Sequence, residues 1–190
     1  MVIAIDLDGC VYDTEVYYRT YAHFWDLAVV GNGLQKSDEM HMDKRFGWDK
    51  ETINNFYDKF TAEIVENAPL KVGAKYVLDQ LKQRGHKLVC VTLRGYYQDC
   101  EIPITEKRFE AEGISFDKIV YNQTNKLQAC LDENVDLIVD DNPDNVEMLA
   151  KNNIKCLHFR GIGMKNVEHE NVAEVQNWAD VLEKINKLEK

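Results

Sequence analysis

The stretch V-I-A-I-D-L-D-G-C-V-Y-D-T, residues 2–14, decides how the rest of the chain is read. A short apolar run ends in Asp6 and Asp8, one residue apart, then Gly9 and a third acid, Asp13. The run reads as a short buried strand whose carboxyl end delivers two carboxylates to one spot. Like charges so close repel, and each is costly to desolvate. A cationic partner must belong to the arrangement.

Working outward, three further apolar runs resemble the first: K-L-V-C-V-T at 87–92, V-D-L-I-V-D at 135–140 and I-K-C-L-H-F at 154–159. A weaker one, K-I-V-Y, lies at 118–121. Near-continuous apolar strands suit a parallel sheet covered on both faces. Helical patterns separate them. Ala74, Val77, Leu78 and Leu81 form one face, with Gly85 as the stop. Asn142 suits a helix cap, with Pro143 at the first helical position. Trp178, Val181, Leu182 and Ile185 mark a last helix. Alternating strands and helices predict a doubly wound α/β fold.

Residues 15–70 break the alternation. Val16 to Val30 is apolar and aromatic almost all round, which predicts a helix covered on several faces. A polar connection follows through residues 31–47. Then Ile53, Phe56, Tyr57, Phe60 and Ile64 recur at helical spacing. The expected division is a core of residues 1–14 and 71–190 with a small helical cap, 15–70, inserted after the first strand.

Composition narrows the class. The chain has 190 residues, 45% of them hydrophobic, enough for one α/β domain with a small insertion. Asp plus Glu number 33 against 23 Lys plus Arg, a net charge of −10. That balance excludes a dedicated binder of nucleic-acid polymer or anionic membrane. It leaves room for a small phosphorylated ligand, because a bound cation reverses the local field. Cys10, Cys90, Cys100, Cys130 and Cys156 show no zinc-type spacing. The apolar run at the start is too short for a signal peptide, and no stretch reaches a membrane span. A reducing cytoplasm is the expected setting.

In an open parallel sheet, ligands bind at the carboxyl ends of the strands. Those ends carry Asp6 and Asp8, then Thr92-Leu93-Arg94-Gly95, then Lys126 at a helix start, then Asp140-Asp141. Four carboxylates, a hydroxyl and an ammonium therefore gather on one edge. Oxygen ligands of this kind suit a hard divalent cation such as Mg²⁺. A hydroxyl, backbone N–H groups and a lysine can hold phosphate oxygens. One carboxylate can attack phosphorus, and a neighbour can move the proton.

These segments resemble the four motifs of the haloacid dehalogenase-like superfamily: D-L-D-G-C-V-Y-D, V-T-L-R-G, Lys126 and I-V-D-D-N-P. The later segments are similar to its 5′-nucleotidase-like branch. The resemblance implies a Mg²⁺-dependent phosphomonoesterase working through an aspartyl phosphate. Asp6 would be the nucleophile and a metal ligand. Asp8 would be the general acid/base, with its carbonyl on the metal. Thr92 and the Leu93 N–H would hold the phosphoryl group, Lys126 would bridge it to Asp6, and Asp140 and Asp141 would complete the metal site. Asn145 stands where many members carry an acid.

Substrate contacts are expected from Arg94 and from four aromatics, Tyr17, Tyr18, Trp25 and Trp48, offered as surfaces for a base to stack on. Arg94 reads equally as a structural ion pair, Asp13 as a helix N-cap or a support of the site loop, and His158 as a strand residue. The expected ligand is a nucleoside monophosphate, ahead of a sugar phosphate. A non-catalytic binding protein on the same fold is the reading from another class.

Overall fold

A computed structural model of the chain describes residues 1–161 and 164–190. Six strands form one parallel sheet: β1 (Val2–Ile5), β2 (Lys87–Val91), β3 (Lys118–Val120), β4 (Leu137–Asp140), β5 (Lys155–Phe159) and β6 (Val172–Val175), in the order β3-β2-β1-β4-β5-β6. The period-2 alternation sorts side chains between two cores. Ile3, Ile5, Leu88, Cys90, Leu137 and Val139 face one, which α4 (Ala74–Gln83) and α8 (Trp178–Leu188) cover. Ala4, Val89, Val91 and Ile138 face the other, closed by α6 (Lys126–Asp132) and α7 (Pro143–Lys151). Between β2 and β3 runs α5 (Glu101–Glu112), whose Phe109 joins the first core.

The switch point lies between β1 and its two neighbours. Ile3 pairs with Leu88 on one side and Leu137 on the other. The chain runs outward from β1 through β2 to β3 and then crosses back to β4 on the other side of β1, so a crevice opens at the carboxyl end of β1. Helix capping follows the sequence closely at α7, where the Asn142 side chain accepts from the N–H groups of Asp144 and Asn145 ahead of Pro143.

Between β1 and α4 come α1 (Thr14–Trp25), a π-helical turn (Asp26–Val30), α2 (Met42–Phe46) and α3 (Lys50–Asn67). They share a small core of Ala22, Met42, Phe46, Trp48 and Phe56. Entry and exit of this insertion run side by side: Tyr12 pairs with Leu70, the Asp13 N–H donates to the Pro69 carbonyl and the Lys71 N–H to that of Val11.

Three expectations change. Asp13 makes no side-chain cap; its carboxylate pairs with Lys71 Nζ at 2.6 Å and fastens the crossing. The helix from Val16 is not covered all round, because only one side of α1 meets α2 and α3; Phe24 stays 66% exposed and Leu27 68%. The strand β6 was not anticipated from the sequence. Among the described residues, no helix is long and apolar enough to cross a membrane.

Candidate active site

The backbone sets the site first. Asp6 follows β1 directly, anchored by its N–H to the Val139 carbonyl at 3.0 Å. Gly9 turns the chain with φ +77°, and its N–H donates to Thr14 Oγ1 at 3.1 Å. A Cβ there would lie 1.9 Å from Asp141 Oδ2, so only glycine lets the turn approach the β4 loop. Thr92 follows β2 and receives the Arg94 N–H on its hydroxyl at 3.3 Å. Asn125 caps α6 and sets Lys126 in its first turn.

Lys126 is the hub. Its Nζ lies 2.8 Å from Asp6 Oδ2 and 2.7 Å from Asp140 Oδ2, and all three side chains are buried. Burial opposes the ammonium, yet Asp140 and Asp6 hold its pKa above the ordinary lysine value. The outer oxygen of Asp140 accepts from the Asn142 N–H at 2.9 Å and from Asn145 Nδ2 at 3.4 Å. Asn145 thus supports Asp140 where an acid was missed.

Asp141 is different. It is 3% exposed, and among the described residues nothing donates a hydrogen bond to its carboxylate. Burial first, then Asp6 and Asp140, push its pKa well above the ordinary value. Burial likewise raises Asp6, to about 7, with Asp140 and Asp8 adding and Lys126 opposing. Behind Asp141, burial lowers the pKa of His158, and its Nε2 lies 3.2 Å from the Asp141 carbonyl.

Asp8 has its own counter-ion. Arg94, wholly buried, grips it with Nε 3.0 Å from Oδ2 and Nη2 2.8 Å from Oδ1. Arg94 also donates from Nη1 to Thr105 Oγ1 at 2.8 Å and lies over the Tyr12 ring. Burial works against the Asp8 carboxylate, but the guanidinium prevails and holds its pKa below the ordinary value. Of the two readings of Arg94, the ion pair is therefore realised, and it is made with the proposed acid/base itself.

A cavity of about 380 Å³ opens above these groups, a size suited to a small molecule. Asp6, Asp8, Leu93, Arg94, Lys126 and Asp141 line its floor, and Thr92 and Asp140 stand buried just beneath. Of the four expected aromatics, only Tyr18 lines it. Trp48 is drawn into the core of the insertion, stacked on Phe46, with Nε1 donating to buried Asp26 at 2.8 Å. Trp25 packs edge-on against Phe60 beneath Lys59, and Tyr17 stacks on Tyr21. These three are corrected from substrate contacts to packing residues, since the insertion must bury its aromatics somewhere. The cavity wall instead carries Tyr57 from α3 and Tyr97 from the loop after β2, stacked at 5.4 Å between centroids. Tyr57 was hidden in a helical pattern. Tyr97 had one usable signal, its place in G-Y-Y-Q just past a strand end.

Three carboxylates facing one ammonium leave an excess of negative charge, and the least compensated member, Asp141, offers only oxygen. That donor set fits a hard divalent cation.

Sheet order, the helices inserted after β1 and the four strand-end segments give a fold shared with solved haloacid dehalogenase-superfamily structures. Its particular relatives are similar over nearly their whole length. It is 25% identical to the Bacillus subtilis (strain 168) protein named "Putative nucleotidase YqfW", over 97% of this chain and 93% of that one. A crystal structure of a "predicted phosphatase" from Clostridium acetobutylicum matches with a TM-score of 0.68 at 19% identity, covering 98% of each chain. A haloacid dehalogenase-superfamily hydrolase from Ehrlichia chaffeensis matches with a TM-score of 0.57 at 15% identity, over 100% of this chain and 97% of that one. No family model matches the chain.

Proposed function

We propose that this chain hydrolyses phosphomonoesters of small molecules, with nucleoside monophosphates preferred and Mg²⁺ required. The observation that carries the reading is Asp6 at the cavity floor, 2.8 Å from Lys126 and beside the carboxylate of Asp141, which has no hydrogen-bond partner among the described residues. Asp6 attacks phosphorus and becomes an aspartyl phosphate; water then releases phosphate. Lys126 offsets charge on Asp6 and on the arriving phosphoryl oxygens, Thr92 and the Leu93 N–H orient them, and Asp140 holds Lys126 in place. Asp6 and Asp141 would hold the Mg²⁺ ion, which when bound neutralises charge on the phosphoryl group.

Asp8 moves the proton. Gripped by Arg94, it is set as the base that activates water in the second step. Donating to the leaving group in the first step requires a protonated Asp8 and hence a looser Arg94 contact. Residues 15–70 act as the cap and core residues 1–14 and 71–190 as the base. In support, Tyr18 and Tyr57 reach the cavity from the insertion, and Tyr97 meets Tyr57 from the core. Three aromatic faces favour a flat base over a sugar. The five free cysteines suit a reducing, cytoplasmic setting.

The test is a panel of nucleoside monophosphates, sugar phosphates and an aryl phosphate, assayed with Mg²⁺ and with chelator. Turnover only with metal, fastest on a nucleotide, is expected. Faster turnover of sugar phosphates than of any nucleotide sinks the substrate preference; full activity in chelator sinks the cation role.

A further inference from the structure

Cys10, directly after the Gly9 turn, is fully buried. Its sulfur, an Asp6 oxygen and an Asp141 oxygen lie within 4.8 Å of one another. Donors on one tetrahedral zinc ion stand about 3.6 Å apart, given Zn–S near 2.3 Å and Zn–O near 2.0–2.2 Å, so an inward movement of about 1 Å closes the set. Neither the Cys10 thiol nor the Asp141 carboxylate has a hydrogen-bond partner among the described residues. Asp141 is 3% exposed and its Oδ2 is turned toward the Gly9 backbone, beside the thiol.

We propose that Asp6, Cys10 and Asp141 form a mixed oxygen–sulfur site that captures Zn²⁺ or Cd²⁺ in place of Mg²⁺. This rests on the reading that a cation sits between Asp6 and Asp141. Mg²⁺ demands near-octahedral oxygen coordination and leaves the sulfur unused. Zn²⁺ accepts a tetrahedral set of thiolate and carboxylates with a fourth position open, and softer Cd²⁺ favours the thiolate further. On binding, the Cys10 S–H bond breaks, an S–metal bond forms and the proton passes to solvent; nothing is oxidised or reduced. Such an ion recruits the nucleophile Asp6 as a ligand in a tighter set, so it competes with the working cation and stops turnover. The rival role for Cys10 is that of a small apolar filler beside Ile5 and Trp178 in the first core.

The experiment titrates Cd²⁺ into the full chain stripped of metal, following thiolate-to-cadmium charge-transfer absorption and proton release in weak buffer. The expected result is one absorbing Cd²⁺ and one released proton per chain, with Zn²⁺ bleaching the band by competition. Cys10→Ser should lose the band and bind Cd²⁺ about 100-fold more weakly or worse, the upper range for losing even a supporting partner of a ligand. If Cys10→Ser does not fold, Asp141→Asn, which removes no core volume, carries the test: the thiol stays and the band should still disappear. A band that survives in either folded variant overturns the inference. If Mg²⁺ raises the melting temperature of the chain while Cd²⁺ gives no band, the inference falls and the phosphatase reading stands. If neither cation binds, both fall.

Discussion

Asp6 and Asp8 have a single residue between them and sit in opposite electrostatic company. Asp6 shares Lys126 with Asp140 and crowds Asp141, whereas Asp8 owns Arg94. Variants at the two positions should therefore behave differently in stability as well as in rate. Asp6→Asn removes charge from an over-charged spot and leaves Lys126 paired with Asp140. It should fold with an unchanged or higher melting temperature in chelator, while turnover drops by about 10⁴-fold or more, as for other lost nucleophiles. Near-normal turnover in that variant rules out the aspartyl phosphate. Asp8→Ala strands a wholly buried guanidinium and should lose about 3–5 kcal/mol in denaturant unfolding. Asp8→Asn keeps an acceptor for Arg94 and should lose much less stability. In both variants hydrolysis should fall by roughly 10²–10⁴-fold for poor leaving groups and far less for an activated aryl phosphate. Equal damage to both substrate types removes Asp8 from the proton-transfer role.

At the scale of elements, the aromatics of the insertion divide into those that hold it together and those that face the cavity. Trp48 belongs to the first group and Tyr97 to the second. Trp48→Leu loses ring packing and leaves buried Asp26 short of a donor. It should lower stability by about 2–4 kcal/mol with KM nearly unchanged. Tyr97→Leu should leave stability within error and raise KM for a nucleotide about 5- to 150-fold, from roughly 1–3 kcal/mol of lost stacking. An aryl phosphate should be less affected, and KM data in which Trp48 matters more than Tyr97 would reverse the assignment. The sequence made the strands β1, β2, β4 and β5 legible because each is apolar on both faces, a demand no surface segment shares. It hid β6, an edge strand with one buried residue in four, whose V-A-E-V carries little pattern without its partner Cys156-Leu157-His158-Phe159. The floor of the site was legible for the same reason: strand ends converge by topology. Of the walls only Tyr18 was legible, because Tyr57 and Tyr97 come from two elements whose mutual placement no local pattern encodes. The grip of Arg94 on Asp8 spans 86 residues and was equally invisible.

Over the whole molecule, the buried acids make stability depend on pH in the absence of a cation. The folded chain holds Asp6 near pKa 7 against an ordinary 3.8, and Asp141 is raised as well. Between about pH 4 and pH 7 the native state thus binds more protons at these groups than the unfolded chain, and their contribution to stability falls as pH rises. Melting in chelator should decline across that window, and Mg²⁺ should restore more at pH 8 than at pH 5. Mg²⁺ protection that does not grow with pH would contradict it. The sheet order has a separate consequence, in time during synthesis. The strand β1 is made long before either neighbour: its Ile3 must wait for Leu88, and then well over a hundred residues for Leu137. At roughly 5–20 residues per second, V-I-A-I trails a growing polypeptide with both backbone edges open for several seconds or more. For that interval the small core of the insertion, drawn from Ala22 to Phe56, can already gather, and the apolar segment that later becomes the middle of the sheet is what a ribosome-associated chaperone would have to shield.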